Sequence, residues 1–244
     1  MTVLPEDVFI VSYPKSGNTW TRFLIGNIYH QDGLVDFTNI EKMVPDIYQN
    51  SDSDLLKIAR PRILKSHESF DPRYKKVIYI VRDPRDVFIS YYHHHIKFKA
   101  IGEEASLQAF LLPFLAGELD SFGSWSENVG GWLGAREGDA NFMLLRYEDM
   151  LADPIRELTR VAEFLSIKVD ESRLKYAVRA SSADEMRKME KGQSLYWKAT
   201  KNTRQDKPFV RAAKSGGWQT ELSAEIADEL SFAWGAKMKA LGYL

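Results

Sequence analysis

The sequence contains no cysteine among its 244 residues. This excludes a disulfide framework, thiolate catalysis and cysteine metal ligands, and it fits a reducing compartment. No apolar run approaches the roughly 20 residues that a membrane-spanning helix needs. The N-terminus carries acidic Glu6 and Asp7 instead of the positive charge of a signal peptide. We therefore expect a cytoplasmic protein that has no membrane partner.

An excess of charge of one sign is also missing. The chain has 33 basic and 34 acidic side chains and a net charge of −1. This balance gives no global attraction to nucleic acid, so we expect no nucleic-acid partner and a locally built site for any anion. With 44% hydrophobic residues the chain can bury one sizeable core. We expect a single domain over residues 1–244.

Short apolar strand patterns alternate with helical patterns over the first 150 residues. This predicts an α/β fold, in which a mainly parallel sheet is flanked by helices. The segments 31–59 and 190–210 fit neither pattern, and loops this long are often lids or binding segments. The predicted strands are Val8–Ser12, Arg62–Lys65, Val77–Val81 and Phe142–Leu145, and the clearest later helices are Pro154–Leu165 and Leu222–Leu241.

The string YPKSGNTW, residues 13–20, lies between a strand pattern and a helix pattern. Pro14 stiffens the turn, Gly17 lets the backbone approach a ligand, and Lys15 supplies a mobile cation. Thr19 could cap the first helical turn, and the helix N-terminus offers free N–H groups to an anion. We expect a phosphate site here, although these residues alone also fit an ordinary strand-to-helix turn. The lysine precedes the glycine by two residues, unlike the GxxxxGK[ST] loop of ATPases and kinases.

Arg82 directly follows the predicted strand Val77–Val81, at the edge where open α/β sheets bind ligands. Ser90 lies nearly two turns along the next helix, so the two side chains could hold one phosphate. Surface pairing of Arg82 with Asp83 or Asp86 is the alternative.

Lys65 and His67 come at the end of another predicted strand, whose alternation would point both to one side. A neutral histidine suits a general base near pH 7, although a lone histidine is often structural. His93, His94 and His95 are splayed by about 100° each on a helix and cannot converge on one ion. We therefore predict no metal site, and one of the three is a candidate for an acceptor pocket.

Together these motifs resemble the sulfotransferase family that uses 3′-phosphoadenosine 5′-phosphosulfate (PAPS). YPKSGNTW is similar to that family's 5′-phosphosulfate loop, YPKSGTTW, and departs only at Asn18. RDPRDVFISYYH resembles the 3′-phosphate motif RNPKDVAVSYYH, and KSH matches K[ST]H. The matches span residues 8–218. The resemblance implies a sulfotransferase fold like that of P-loop NTPases, with PAPS as donor and 3′-phosphoadenosine 5′-phosphate (PAP) as product.

The resemblance also implies roles for single residues. His67 would deprotonate the acceptor, Lys15 would neutralise the leaving phosphate, and Lys65 would contact the sulfuryl group. Arg82 and Ser90 would hold the 3′-phosphate. The residues implied for the 5′-phosphosulfate are Lys15, Ser16, Gly17, Asn18, Thr19 and Trp20.

Two later segments extend the resemblance. FMLLRYEDM places Tyr147 near the adenine, and ASSADEMRK is similar to the adenine loop TSFxxM, which implies Ser181 and Met186 as neighbours of the base. Ala183 stands where an aromatic ring usually stacks, so Trp20 would carry the stacking alone.

The segment FVRAAKSGGW resembles FxRKGxxGxW, which wraps the 3′-phosphate. Arg211 matches, Ala212 and Ala213 replace the lysine and glycine, and Lys214 could substitute for the missing lysine. The family's dimerisation segment KxxxTVxxxE is absent, which leaves the oligomeric state open.

The predicted reaction is in-line transfer of a sulfuryl group to a hydroxyl or amine of a small-molecule acceptor, without a metal. The acceptor pocket would come from segments 31–59, 97–124 and 190–208, whose aromatic residues suggest an acceptor with an apolar or aromatic portion. Core packing explains the same aromatic residues equally well. A small-molecule kinase and a non-catalytic nucleotide-binding module are the alternative functions. The aromatic residues in question are Phe98, Phe110, Phe114, Phe122 and Trp125.

Overall fold

The computed structural model describes residues 1–30 and 33–244. Gln31 and Asp32, at the start of the first unassigned segment, lie outside the described residues. Four strands form one parallel sheet in the order β2-β1-β3-β4. This confirms the predicted α/β fold, and each predicted strand is present with ends shifted by at most one residue. The strands are β1 Val8–Ser12, β2 Ile63–Ser66, β3 Lys76–Val81 and β4 Phe142–Arg146.

Helices connect and cover the strands. The helices of the described residues are α1 Asn18–Tyr29, α2 Ile40–Met43, α3 Asp52–Leu55, α4 Pro84–Lys97, α5 Leu107–Ala116, α6 Trp125–Arg136, α7 Tyr147–Ala152, α8 Pro154–Phe164, α9 Glu171–Ala180, α10 Ala183–Gln193, α11 Trp218–Glu221 and α12 Ala224–Ala240.

Both faces of the sheet are buried. Phe9 and Val11 of β1 point into one apolar core, and Val8 and Ile10 point into a second core on the opposite face. A parallel sheet with helices on both faces needs apolar residues at every position of its inner strands. This explains why the strands read as continuous apolar runs.

The strand order reverses between β1 and β3, because β2 lies on one side of β1 and β3 on the other. Ligands of open α/β sheets bind at such a switch point, outside the carboxyl ends of the strands. The residues that follow the four strands meet at this edge: Tyr13, His67, Arg82 and Tyr147.

One capping prediction was wrong, and one predicted helix is present with shifted bounds and an interruption. Thr19 does not cap α1, because Gly17 adopts the left-handed conformation with φ 104° and occupies the N-cap position without a side-chain bond. The helix predicted for Leu222–Leu241 begins later, at Ala224, where Ser223 accepts the cap bond from the N–H of Ile226. It is also interrupted at Trp234, whose φ of −125° is not helical.

Candidate active site

A cavity of about 650 Å³ opens at the switch point of the sheet. It runs from the turn after β1, past the ends of β2 and β3, to the segment 209–213. Lys15, Lys65, Arg82 and Arg211 line it together with His67. The fold therefore brings together, in a single cavity, five side chains that were predicted from separate motifs.

The turn after β1 has an uncommon backbone that prepares it for an anion. Lys15 has φ 68° although it has a side chain, and Gly17 follows with φ 104°. A methyl group on Gly17 would lie 2.5 Å from Cδ2 of Tyr147, so only glycine fits. With no side-chain cap, the first N–H groups of α1 stay available to a ligand.

Lys15 is held inside the cavity by groups without negative charge. Its Nζ lies 3.3 Å from Nδ1 of His94 and 4.7 Å from the ring centre of Phe209. Burial, reinforced by the nearby cations Arg82 and Lys65, lowers the pKa of Lys15 to about 7. A bound anion would therefore stabilise the protonated form of Lys15.

Arg82 joins the two ends of the cavity. It donates to the carbonyl of Lys15 at 3.1 Å and to the carbonyl of Lys214 at 2.9 Å. Its guanidinium lies 4.4 Å from the ring centre of Tyr147, and its Nε is buried with no partner among the described residues. The alternative was surface pairing with Asp83 or Asp86. Arg82 does pair with Asp86, at 3.9 Å, but both side chains are buried.

Lys65 has a partner that the sequence did not reveal. Its Nζ donates to Oδ2 of Asp46 at 2.8 Å, and both side chains are buried. It also lies 4.9 Å from the ring centre of Tyr48. Burial lowers the pKa of Lys65, against the opposing effect of Asp46.

His67 is oriented by the end of β1. Its Nδ1–H donates to the carbonyl of Ser12 at 2.7 Å, which leaves Nε2 unprotonated. Tyr48 and Phe122 lie beside the ring, with centres 6.2 and 5.5 Å away. Burial and the charge of Lys65 hold the pKa of His67 well below its ordinary value. The imidazole is therefore neutral at pH 7 and able to accept a proton.

Most, but not all, of the residues predicted to lie near the adenine line the cavity. Trp20 and Tyr147 line the cavity, and their rings, with centres 5.7 Å apart, are arranged edge to face. Met186 and Ala183 also line it. Ser181 does not, because it is fully buried and its hydroxyl accepts from the amide of Asn27.

Most of the residues predicted to bind the 3′-phosphate also line the cavity. Ser90, Arg211, Ala212 and Ala213 line the cavity. Arg211 pairs with Glu221 at 2.7 Å, and Ala213 has φ 51°, in the conformation that the family's glycine would adopt without strain.

Besides Ser181, two predicted binding side chains do not line the cavity. Lys214 is about half exposed and lies 3.9 Å from Glu221, so only its carbonyl, bonded to Arg82, belongs to the site. Ser16 is fully buried behind the turn, and its Oγ has no partner among the described residues.

Aromatic side chains line much of the cavity. Of the five predicted for an acceptor pocket, Phe98 and Phe122 line it, whereas Phe110, Phe114 and Trp125 are in the core. The sequence did not single out three further aromatic lining residues, which are Tyr48, Trp197 and Phe209.

The histidine triplet behaves as expected for neighbours on a helix. His94 lines the cavity, and the ring of His95 is buried next to Tyr91. Across residues 1–30 and 33–244, no cluster of three or more His, Asp or Glu side chains could hold a metal ion. Over the same residues no helix is both long and apolar enough to cross a membrane.

Comparison with known proteins identifies the family pattern. The sulfotransferase domain family matches residues 5–242. Sulfotransferase 1 family member D1 of Rattus norvegicus is 29% identical, over 96% of this chain and 84% of the relative. Sulfotransferase 1E1 of Bos taurus is 28% identical, with the same coverage of 96% and 84%.

Solved structures share the fold. Mouse sulfotransferase SULT7A1, crystallised with PAP, is 26% identical over 96% of this chain and 84% of that one, with a TM-score of 0.75. A retinol dehydratase in complex with retinol and PAP has a TM-score of 0.82 at 21% identity, covering 98% and 83% of the two chains. At that identity the likeness supports the fold alone.

Proposed function

This chain belongs to the sulfotransferase family, and from that membership we propose that it transfers the sulfuryl group of PAPS to a hydroxyl or amine of a small-molecule acceptor. The observation that carries the proposal is the meeting of Lys15, Lys65, His67 and Arg82 in one cavity at the switch point of the sheet. The kinase alternative loses its support, because the family is one of sulfotransferases. The non-catalytic alternative loses it as well, since this is a family of enzymes.

The residues present fit a nucleotide with phosphates at both ends. The free N–H groups of α1, together with Lys15, would hold the 5′ end. Arg82, Ser90 and Arg211 would hold the 3′-phosphate, and the unpartnered Nε of Arg82 supports an acceptor atom there. Trp20 and Met186 would contact the base. When bound, PAPS supplies the sulfuryl group and a phosphate leaving group.

His67 would act as the general base. Its Nδ1–H is committed to the carbonyl of Ser12, so its free Nε2 can accept the proton of an acceptor hydroxyl. Lys15 would donate to the leaving oxygen as charge develops there. Lys65, held at a fixed position by Asp46, would stabilise the sulfuryl oxygens.

We also propose that no divalent metal is required. A sulfuryl group carries less charge than a phosphoryl group, so side-chain cations can stabilise its transfer. Lys15, Lys65, Arg82 and Arg211 supply this charge at the cavity.

The aromatic side chains of the cavity support an acceptor with an apolar or aromatic portion. Tyr48 and Phe122 beside His67, and Phe98 beside His94, offer flat apolar surface to such a molecule. Lys65, His67 and Asp46 also line this cavity, and the Asp46 carboxylate is already paired with Lys65, which favours a neutral acceptor over a cationic one.

The test is a screen with radiolabelled PAPS against phenols, aliphatic alcohols and amines, in buffer that contains EDTA. We expect label in at least one phenol or alcohol, and loss of at least about 10²-fold in turnover for His67→Gln. His93→Gln, which alters a histidine outside the cavity lining, is the matched control and should keep parental turnover. Transfer that depends on added Mg²⁺, or that survives in His67→Gln, would contradict the proposal.

A further inference from the structure

Asn18 is the one residue of the phosphate turn that departs from the family form, and its side-chain amide is bonded to β1. Its Nδ2 donates to the carbonyl of Ile10 and to Oγ of Ser12, both at 3.2 Å. Both acceptors belong to β1, and Asn18 itself is only 4% exposed. The first residue of α1 is therefore bonded to the last residue of β1.

The orientation of this amide is fixed by its partners. The Ile10 carbonyl can only accept, so the nitrogen must face it. Oδ1 of Asn18 is buried without a partner among the described residues. Because phosphate oxygens are acceptors too, an oxygen in this place gives nothing to a bound phosphate.

The next link is from Ser12 to His67. The carbonyl of Ser12 accepts from Nδ1–H of His67 at 2.7 Å, and Oγ of Ser12 lies 3.4 Å from the same nitrogen. Asn18 thus holds the residue whose two oxygens face the imidazole. Two hydrogen bonds separate the phosphate turn from the group that would remove the acceptor proton.

We propose that Asn18 is a positioning residue, which acts through Ser12 to keep His67 in the Nδ1–H tautomer with Nε2 toward the acceptor. This rests on the proposed role of His67 as general base. It assigns to Asn18 a task in the acceptor half of the reaction, although the residue lies in the donor-binding turn.

Replacing Asn18 by the family's threonine should change PAP affinity and turnover in opposite directions. A threonine hydroxyl can donate to a phosphate, whereas the Asn18 amide donates to β1. Asn18→Thr should therefore bind PAP at least as tightly as the parent and turn over more slowly. A residue that serves only nucleotide binding would give the reverse.

Asn27 provides a matched control on the same helix. It is also fully buried. Its Nδ2 donates to the carbonyl of Phe23 and to Oγ of Ser181, and its Oδ1 accepts from the N–H of Val35, so its partners differ from those of Asn18. Asn27→Ala removes a buried amide as Asn18→Ala does, with a comparable loss of packing. It should lower thermal stability and leave kcat within about twofold of the parent.

The kinetic test compares Asn18→Ala, Asn18→Thr, Ser12→Ala and Asn27→Ala, with PAPS as donor and 4-nitrophenol as acceptor. Misplacement of a reacting group by about 1 Å can cost about 10²-fold, so we expect kcat to fall about tenfold or more in the first two variants. Ser12→Ala should lower it in the same direction. PAP affinity, measured by calorimetry, should stay within about twofold in Asn18→Ala.

A second readout does not depend on turnover. The protein has five histidines, so imidazole ¹⁵N spectra of histidine-labelled protein can be assigned with His67→Gln. We expect one Nδ1–H tautomer for His67 in the parent and in Asn27→Ala. Asn18→Ala should show a mixture with the Nε2–H tautomer. Ser12→Ala keeps the carbonyl that accepts from Nδ1–H and should show a smaller fraction of the Nε2–H tautomer.

The outcomes separate the two proposals. Absence of transfer by the parent would count against the proposed function, and the tautomer spectra would still decide the role of Asn18. An unchanged His67 spectrum in Asn18→Ala would overturn the positioning role. The positioning role would also be overturned if Asn27→Ala lost as much kcat as Asn18→Ala. The same holds if the loss of kcat in Asn18→Ala were accompanied by a proportional loss of PAP affinity.

Discussion

Binding of PAP should take up a proton at Lys15. In the free protein the pKa of Lys15 is lowered to about 7, chiefly by burial. A bound phosphate favours the charged form and raises this pKa toward its usual range. The affinity is therefore highest well below pH 7 and falls as the pH rises through 7 and above. From pH 7 to pH 9 the protonated fraction in the free protein drops from about one half to about 1%, a loss of about fiftyfold in affinity or about 2.3 kcal/mol.

The pH range is chosen so that few other groups titrate. The phosphates of PAP are fully ionised above pH 7, and burial keeps His67 and His94 neutral there because their pKa values lie well below the usual range. Calorimetry at pH 8 in two buffers of different ionisation enthalpy counts the protons directly. We expect about 0.9 proton taken up per PAP bound.

Two lysine variants decide whether Lys15 is the group responsible. Lys15→Met should bind PAP more weakly at pH 7 and lose the pH dependence, whereas Lys65→Met should keep it. Lys15→Met should also raise the melting temperature of the free protein, since it removes a buried cation. An affinity that does not change between pH 7 and pH 9, or a slope that survives in Lys15→Met, would refute this reasoning.

Three further outcomes follow from the site. Gly17→Ala should abolish PAP binding in calorimetry, and circular dichroism should show that the fold persists. The added methyl group would lie 2.5 Å from Tyr147 at a φ of 104°. Tight binding would contradict this geometry. Asp46→Asn should cut kcat by about tenfold or more in the labelled-sulfate assay, since Lys65 loses its charged partner, and unchanged kcat would remove Lys65 from the reaction. Ala183→Phe should tighten PAP binding by about 1 kcal/mol in a fluorescence titration, unless the base lies elsewhere.

The sheet and the phosphate turn could be predicted because their signals are local. Four apolar runs became four strands, and YPKSGNTW lies between β1 and α1. The convergence of Arg82 and His67 also followed, because the carboxyl ends of parallel strands share one edge. The start of α1 was less predictable, since the left-handed backbone of Gly17 excluded Thr19 from the capping position.

Contacts between distant segments could not be predicted. Asp46 reaches Lys65 because residues 45–47 lie alongside β2, where the N–H of Lys65 donates to the carbonyl of Pro45 at 2.8 Å. No periodicity in the sequence indicates that pairing. Phe110 and Phe114 were assigned to the acceptor pocket from composition alone, but the packing of α5 against α4 and α12 turned both into the core.

The most direct measurement is the stoichiometry of the reaction itself. Protein is mixed with radiolabelled PAPS and the best acceptor from the screen in EDTA, and both products are quantified by chromatography. We expect sulfated acceptor and PAP to appear in a one-to-one ratio, and both to form at least about 10²-fold more slowly with His67→Gln. PAP formed without labelled acceptor, or no product from any acceptor despite tight PAP binding, would contradict sulfuryl transfer by this site.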